Sequence, residues 1–145
     1  MFDKNAFRDM HHNKIRSLGY WDAPREKGTL LMLMVTEIAK LSDSSRLNKA
    51  EKLADLALRV YDYCGYYKID LSDLPPIDEG STTNMVIELS GELEADRVGM
   101  GKMFGSGVKK VLAMAYGYAE YYGIDLSGEM LKKFKILDDI KKRKY

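Results

Sequence analysis

Two glutamates follow apolar runs in the sequence, where a charged side chain is costly to place. Glu37 comes directly after the run LLMLMVT, and Glu88 after MVI. A carboxylate in such a position costs free energy unless it is paired with a cation or bound to a metal ion. Glu37 is therefore either a metal ligand, the partner of Lys40 in a salt bridge, or a residue on a solvated helix edge.

A second group of charged residues recurs at helical spacing. It comprises Lys52, Asp55, Arg59 and Asp62. Residues three or four positions apart lie on the same face of a helix, so this pattern predicts one charged face. Asp55 on that face is either a ligand or the partner of Lys52 or Arg59.

The histidines and the cysteine give weaker signals. His11 and His12 are adjacent, so on a helix they point about 100° apart and suit a single metal ion poorly. We expect both to lie at the surface. Cys64 is the only cysteine, which excludes an intramolecular disulfide and a multi-cysteine metal site. It falls on an apolar face with no evident basic activator, which predicts a buried core thiol.

Two segments could attract phosphate. Gly99–Gly107 is glycine-rich, but it lacks the GK[ST] of a P-loop and no strand precedes it, so we expect a flexible connector. A phosphate contact through Lys102 is the alternative. The tail 132–145 carries seven basic and two acidic residues. We expect a solvated helix end there, with phosphate attraction, including Lys133, as the alternative.

The apolar periodicity predicts helices and no strand of useful length. The expected helices cover 2–17, 26–42, 48–67, 84–96, 108–122 and a last segment capped by Ser127 that reaches Lys141. The fold class is therefore all-α.

An internal repeat organises these helices. Residues 66–72 read YYKIDLS and residues 121–127 read YYGIDLS, and Tyr61 and Tyr63 pair with Tyr116 and Tyr118 at the same offset. Two tandem helix pairs that each expose an apolar face would pack into a four-helix bundle with approximate two-fold symmetry. The tyrosines of both units, residues 61, 63, 66, 67, 116, 118, 121 and 122, are then expected to pack near that axis rather than to stack on bases.

We expect one domain over 1–145. Its parts are an N-terminal helix and turn (1–24), a first helix pair (25–74), a linker (75–83), a second helix pair (84–126) and a C-terminal helix (127–145). The formal net charge is +1, which argues against a nucleic-acid or membrane-surface partner. No signal peptide or membrane-spanning run is visible, so we expect a cytoplasmic protein. The apolar helix faces could also join copies of the chain into a homo-oligomer through the bundle.

Several segments occur together in an order that resembles a known family. They are GYWD at 19–22, GTLLMLMVTE at 28–37, KLAD at 52–55, YYKIDL at 66–71, ELSGELEADR at 88–97 and YYGIDL at 121–126. They are similar to the MazG-like all-α nucleoside triphosphate pyrophosphohydrolases, which are related to the all-α dimeric dUTPases. The resemblance implies cleavage of a nucleoside triphosphate to the monophosphate and pyrophosphate. It also implies Mg²⁺ held by ExxE on one helix and ExxD on the next.

The ligand positions of that family are only partly conserved as carboxylates here. In the first unit they hold Glu37, Lys40, Lys52 and Asp55. In the second unit they hold Glu88, Gly91, Gly107 and Lys110. The formal charge sums to zero in each unit, whereas a multi-magnesium site needs several anionic oxygens.

The resemblance leaves Glu37, Asp55 and Glu88 as metal-ligand candidates. Glu51 and Glu92 lie four residues from Asp55 and Glu88 and could complete a composite site. Lys102 and Lys133 are candidates for substrate phosphate, and no catalytic residue is assigned.

Three functions follow from these observations. The first is a MazG-like homologue with a degenerate metal site, reduced or lost activity, and a retained nucleotide-binding or structural role. The second is an active Mg²⁺-dependent pyrophosphohydrolase that uses the composite carboxylates. The third is a non-catalytic helical scaffold for protein interactions.

Overall fold

The computed structural model describes residues 2–45, 48–76, 81–97 and 104–143. These ranges contain six α-helices and no strand, which confirms the predicted all-α class. The helices are α1 (Lys4–Ser17), α2 (Lys27–Asp43), α3 (Lys49–Tyr67), α4 (Thr82–Arg97), α5 (Ser106–Tyr122) and α6 (Leu126–Arg143).

Some helix ends differ from the prediction, because backbone conformation and capping hydrogen bonds decide where a helix begins and ends. One end agrees with the prediction: α5 ends at Tyr122, and the next residue, Gly123, has a left-handed φ of 67° that glycine adopts at little cost. The side chain of Asp125 then accepts a hydrogen bond from the Gly128 N–H at 3.1 Å, so Asp125 caps α6. The predicted cap, Ser127, is wrong, since this residue lies inside α6. Ser106 and Gly107 begin α5 and are not part of a connector.

Helices α2 to α5 form the predicted four-helix bundle. α2 packs on α3 and α4, while α5 packs on α4 and α3, so the four helices close into a ring. Their inner faces supply the largest fully buried side chains, among them Met34, Leu41, Leu53, Met85, Leu89 and Leu112. α1 and α6 lie outside this ring and pack on α3. α3 is therefore covered on more sides than any other helix.

The repeat appears in the packing of the core. The Tyr61 and Tyr116 hydroxyls are 2.7 Å apart and form a hydrogen bond. These residues are equivalent in the two units, and a residue can meet its own equivalent only close to a two-fold axis. The contacts α2·α4 and α3·α5 likewise join equivalent helices. The expected tyrosine packing does not extend to all eight residues, since Tyr121 is 74% exposed.

The packing of α1 against α3 overturns the expectation that the two histidines lie at the surface. His11 and His12 are both buried, at 2% and 5% exposure. Gly65 on α3 permits this approach, because a Cβ atom there would lie 2.5 Å from Cβ of His12. Cys64 is buried as predicted, and burial raises the pKa of its thiol.

Among the described residues, no helix is both long and apolar enough to cross a membrane.

Candidate functional site

A pocket of about 620 Å³ opens between α1, α2, α3 and α6. We call it the α3 pocket, because α3 contributes Asp55, Leu58, Arg59 and Asp62 to its wall. One part of the wall is apolar and is formed by Ile15, Leu33, Leu58, Ile136 and Leu137. The charged part consists of three cations, Arg25, Arg59 and Lys133, and three carboxylates, Glu37, Asp55 and Asp62. Pockets that combine an apolar wall with a few convergent polar groups are typical small-molecule sites.

The charged face of α3 positions half of these groups. Asp55, Arg59 and Asp62 follow one another at intervals of four and three residues, so they project from one side of the helix. The opposite side of α3 carries Leu53, Leu56 and Val60, which are fully buried in the core. The burial of that apolar side turns the charged face toward α1, α2 and α6.

Glu37 reaches the pocket from α2 and is only 4% exposed. Its Oε1 lies 3.3 Å from Nε of Arg59 and 3.6 Å from Nζ of Lys40. Its other oxygen, Oε2, is buried and has no hydrogen-bond partner among the described residues. The geometry therefore contains the expected salt bridge to Lys40, and it adds Arg59 from the neighbouring helix.

Asp55 pairs with a cation from the distant end of the chain. Nζ of Lys133, on α6, lies 2.8 Å from Oδ1 of Asp55 and 3.2 Å from Oε1 of Glu51. Burial alone would lower the pKa of Lys133, but its hydrogen bonds to the two carboxylates raise that pKa overall. The same hydrogen bond to Lys133 lowers the pKa of Glu51. The ammonium of Lys133 thus bridges two of the carboxylates that we considered as metal ligands.

Asp62 is a site residue that the sequence analysis placed on the polar face but did not single out. Its Oδ1 accepts a hydrogen bond from Nδ1–H of His12 at 2.8 Å. The Trp21 indole N–H donates to both carboxylate oxygens, at 3.1 and 3.2 Å, and Nη1 of Arg25 lies 3.9 Å away. The spacing in the sequence could have identified Asp62, because it follows Asp55 by two helical turns on the same face.

His11 contributes to the pocket wall from the middle of α1. Its ring stacks on Phe7, with ring centroids 5.9 Å apart and planes nearly parallel. Burial lowers the pKa of His11 to about 4, so the ring is neutral at physiological pH. Its Nδ1 is buried and, like Oε2 of Glu37, has no hydrogen-bond partner in the described ranges.

The corresponding carboxylates of the second unit lie outside the α3 pocket. Glu92 is 2% exposed and accepts hydrogen bonds from the N–H groups of Gly105 at 2.9 Å and Gly107 at 3.1 Å. It therefore stabilises the amino-terminal end of α5, where the helix dipole favours a negative charge. Glu88 lies 3.6 Å from Nζ of Lys110, across the contact between α4 and α5.

Gly107, which the resemblance would place at a metal-ligand position, is explained by helix packing. A Cβ atom there would lie 2.5 Å from the Glu88 carbonyl oxygen and 2.9 Å from Cβ of Glu92. Any side chain would therefore separate α4 from α5 and disturb the Glu92 cap. This position supports the helix contact and has no space for a carboxylate.

The structure brings some of the predicted site residues together and separates others. Glu37, Asp55 and Lys133 line the α3 pocket, whereas Glu88 and Glu92 do not. Lys102 lies outside the described residues, as do residues 99–103 of the expected connector. Metal binding by Glu37, Asp55 and Glu88 stays a prediction.

The donor set of the described residues does not fit a divalent cation. No three His, Cys, Asp or Glu side chains in these ranges come close enough together to hold a metal ion. The carboxylates of the α3 pocket are instead paired with Arg and Lys side chains. No chemical step through Mg²⁺ is derived from this arrangement.

Comparison of the chain with known protein families, with curated proteins and with solved structures finds no match.

Proposed function

We propose that this protein binds a nucleotide in the α3 pocket and is a MazG-like homologue whose pyrophosphohydrolase activity is reduced or lost. One observation carries the proposal. Glu37 and Asp55 are the carboxylates left at the family ligand positions of the first unit, and they share one pocket. There Arg59 lies 3.3 Å from Glu37 and Lys133 lies 2.8 Å from Asp55. Arg59 and Lys133 therefore pair with the carboxylates that would bind Mg²⁺ in the family. A cytoplasmic location belongs to the same proposal.

Those cations lower the affinity of the site for a metal ion. At an effective dielectric constant near 20, two unit positive charges about 4 Å apart repel by roughly 4 kcal/mol. That energy corresponds to a loss of affinity on the order of a thousandfold. A divalent ion would have to displace Lys133 from Asp55 and Arg59 from Glu37.

The pocket keeps the features that a nucleotide needs. Each arginine has five N–H donors and uses few of them in the pairs described above, so Arg25 and Arg59 retain donors for phosphate oxygens. The apolar wall formed by Ile15, Leu58 and Leu137 offers a surface for a base or a sugar. The balance of three cations and three carboxylates makes a pocket that binds phosphate through hydrogen bonds more than through net charge.

The composite active site is a weaker proposal. It requires Glu51, Asp55, Glu88 and Glu92 to act on one ion. Glu51 and Asp55 share Lys133, while both oxygens of Glu92 already accept hydrogen bonds from backbone N–H groups at the start of α5. Releasing Glu92 for a metal would leave those buried donors unsatisfied.

The test is calorimetric titration of the purified protein with ATP, once with Mg²⁺ and once with EDTA, together with a pyrophosphate-release assay on a panel of nucleoside triphosphates. We expect binding in EDTA that Mg²⁺ does not strengthen, and no pyrophosphate release. Arg59→Gln should weaken binding at least tenfold, because it removes the guanidinium that reaches the pocket.

The matched control is Arg97→Gln. Arg97 lies at the end of α4 and pairs with Glu94, outside the α3 pocket, so its loss should leave the affinity unchanged. Metal-dependent pyrophosphate release with a kcat of about 1 s⁻¹ or more, the ordinary range for enzymes, would overturn the proposal in favour of an active enzyme. Absence of binding by every nucleotide tested would overturn it in favour of a scaffold. Thermal melting of each variant shows whether it is folded.

A further inference from the structure

The internal repeat places the same tyrosine arrangement at the ends of two helices. Tyr66 and Tyr67, at the end of α3, have ring centroids 4.9 Å apart and planes at 84°. Their equivalents in the second unit, Tyr121 and Tyr122 at the end of α5, have centroids 5.0 Å apart and planes at 80°. Because the two pairs share one geometry, the surroundings of the first pair show what such a pair packs against in this protein.

In the first unit, an aromatic ring and a neutralised cation accompany the tyrosines. The indole of Trp21 stacks on Tyr66, with centroids 4.1 Å apart and planes at 7°. Nζ of Lys27 lies 4.9 Å from the centroid of the Tyr67 ring. A carboxylate oxygen of Asp96 lies 2.8 Å from this ammonium and neutralises it. The first tyrosine pair therefore has both a planar partner and a cation that is paired with an anion.

In the second unit, the cation is present, but the stacked ring and the anion are missing. Nζ of Lys49, which reaches the pair from α3, lies 5.3 Å from the centroid of the Tyr122 ring and donates a hydrogen bond to the Tyr118 hydroxyl at 3.1 Å. An ammonium has three N–H donors, and no carboxylate of the described residues pairs with this one. Likewise, no ring in the described ranges stacks on Tyr121, which is 74% exposed compared with 44% for Tyr66.

An open pocket of about 490 Å³ lies beside the second tyrosine pair, and we call it the tyrosine pocket. Its wall contains Lys49, Tyr118, Tyr121 and Tyr122. Three further hydroxyl side chains line it, those of Ser42, Ser81 and Thr82. Within the described ranges it has no acidic lining residue and shares no residue with the α3 pocket. Its ammonium and hydroxyl groups suit a ligand that is rich in hydrogen-bond acceptors, and its size is ordinary for a small-molecule site.

We propose that the tyrosine pocket binds a small molecule that joins a planar ring to a phosphate group. The ring stacks on the exposed face of Tyr121, and the phosphate pairs with the ammonium of Lys49. These are the two kinds of partner that the first tyrosine pair already has within the chain. A phosphate group offers three strong acceptor oxygens, which matches a wall that carries one ammonium and several hydroxyls. The site is separate from the nucleotide site proposed above and does not depend on it.

NMR titration of the wild-type protein with phenyl phosphate, phenol and inorganic phosphate tests the proposal. Phenyl phosphate carries the ring and the phosphate on one molecule, whereas each of the other two probes carries one of them. We expect phenyl phosphate to bind at least tenfold more tightly than either, because linking two groups makes the second contact intramolecular. Absence of binding by phenyl phosphate, or binding no tighter than that of phenol or of inorganic phosphate, would overturn the proposal.

Two variants locate the site. Tyr121→Ala should weaken the binding of phenyl phosphate at least threefold and leave that of inorganic phosphate unchanged, because it removes only the stacking face. Lys49→Gln should weaken phenyl phosphate at least tenfold, because it removes the charge that pairs with the phosphate. Unchanged affinity for phenyl phosphate in either folded variant would overturn the assignment of the ligand to this pocket.

Each variant has a matched control. Tyr20→Ala removes another exposed tyrosine, which lines the α3 pocket, and Lys52→Gln removes a lysine one helical turn after Lys49 that lines neither pocket. Both controls should keep the wild-type affinity for phenyl phosphate. A loss in a control as large as that in its partner variant would place the binding elsewhere and overturn the proposal. Tyr121 is mostly exposed, so the wild-type comparison and Tyr121→Ala decide the question even if Lys49→Gln does not fold.

Discussion

Acid should destabilise this protein through His11, because its ring is buried and neutral in the folded chain. The ring stacks on Phe7 and is 2% exposed, so a proton added to it has little access to water. In the unfolded chain the same ring is hydrated and takes up a proton readily. Protonation therefore favours the unfolded state over a defined range of pH.

The magnitude follows from the two pKa values. Burial lowers the pKa of His11 from 6.5 to about 4 in the folded protein. The neutral histidine stabilises the fold fully above pH 6.5, and this contribution is lost as the pH falls from 6.5 toward 4. Below 6.5 the unfolded state binds more protons, so the free energy of unfolding decreases. Between pH 7.5 and pH 4.5 the loss from this one residue is about 2 to 3 kcal/mol.

The measurement is urea denaturation at pH 7.5 and pH 4.5, for the wild type and for His11→Phe. Phenylalanine keeps an aromatic ring of similar shape against Phe7 but does not titrate. Carboxylates also titrate in this range and contribute equally to both proteins. The fall in unfolding free energy between the two pH values should therefore be about 2 to 3 kcal/mol larger for the wild type.

An equal fall in unfolding free energy for the wild type and for His11→Phe would refute this reasoning. It would mean that His11 takes up a proton as easily in the folded state as in the unfolded state. NMR titration of the imidazole provides a direct check. The His11 ring should remain neutral until the pH approaches about 4.

Two predictions concern helix packing. Glu92→Gln should lower the unfolding free energy by about 2 to 3 kcal/mol in urea denaturation. The reason is that its amide N–H₂ would face backbone N–H groups that now meet a carboxylate. The control, Glu94→Gln at an exposed position, should change the unfolding free energy by less than about 0.5 kcal/mol. Gly65→Ala should cost about 1 to 3 kcal/mol, because the new Cβ would lie 2.5 Å from Cβ of His12. Gly91→Ala, with no atom within 4 Å of the new Cβ, should instead raise the melting temperature. Equal effects of the two alanine substitutions would contradict the packing of α1 against α3.

The arrangement of the bundle was largely predictable from the chain. Apolar periodicity predicted all six helices, and the repeated YYxIDLS segments predicted two equivalent helix pairs. The hydrogen bond between Tyr61 and Tyr116 follows from that repeat, because equivalent residues near a two-fold axis meet each other. The resemblance to a nucleotide-hydrolysing family stays a prediction.

The histidines show why part of the site was missed. α1 has few apolar residues, which is typical of a helix at the surface, so we expected His11 and His12 to be exposed. The structure packs α1 on α3 at Gly65 and buries both rings. A glycine in the middle of one helix does not reveal which other helix approaches it.

The sequence by itself determined the helices, their pairing into two units and the charged face of α3, because these depend on the order of neighbouring residues. Only the tertiary structure decided which cation meets which carboxylate. Lys133 reaches Glu51 across 82 positions of the chain, and Arg59 reaches Glu37 across 22. Each partner depends on the distance and rotation between packed helices, which the burial of apolar faces sets. That same packing buries Glu37 Oε2 and His11 Nδ1, and neither atom has a hydrogen-bond partner among the described residues.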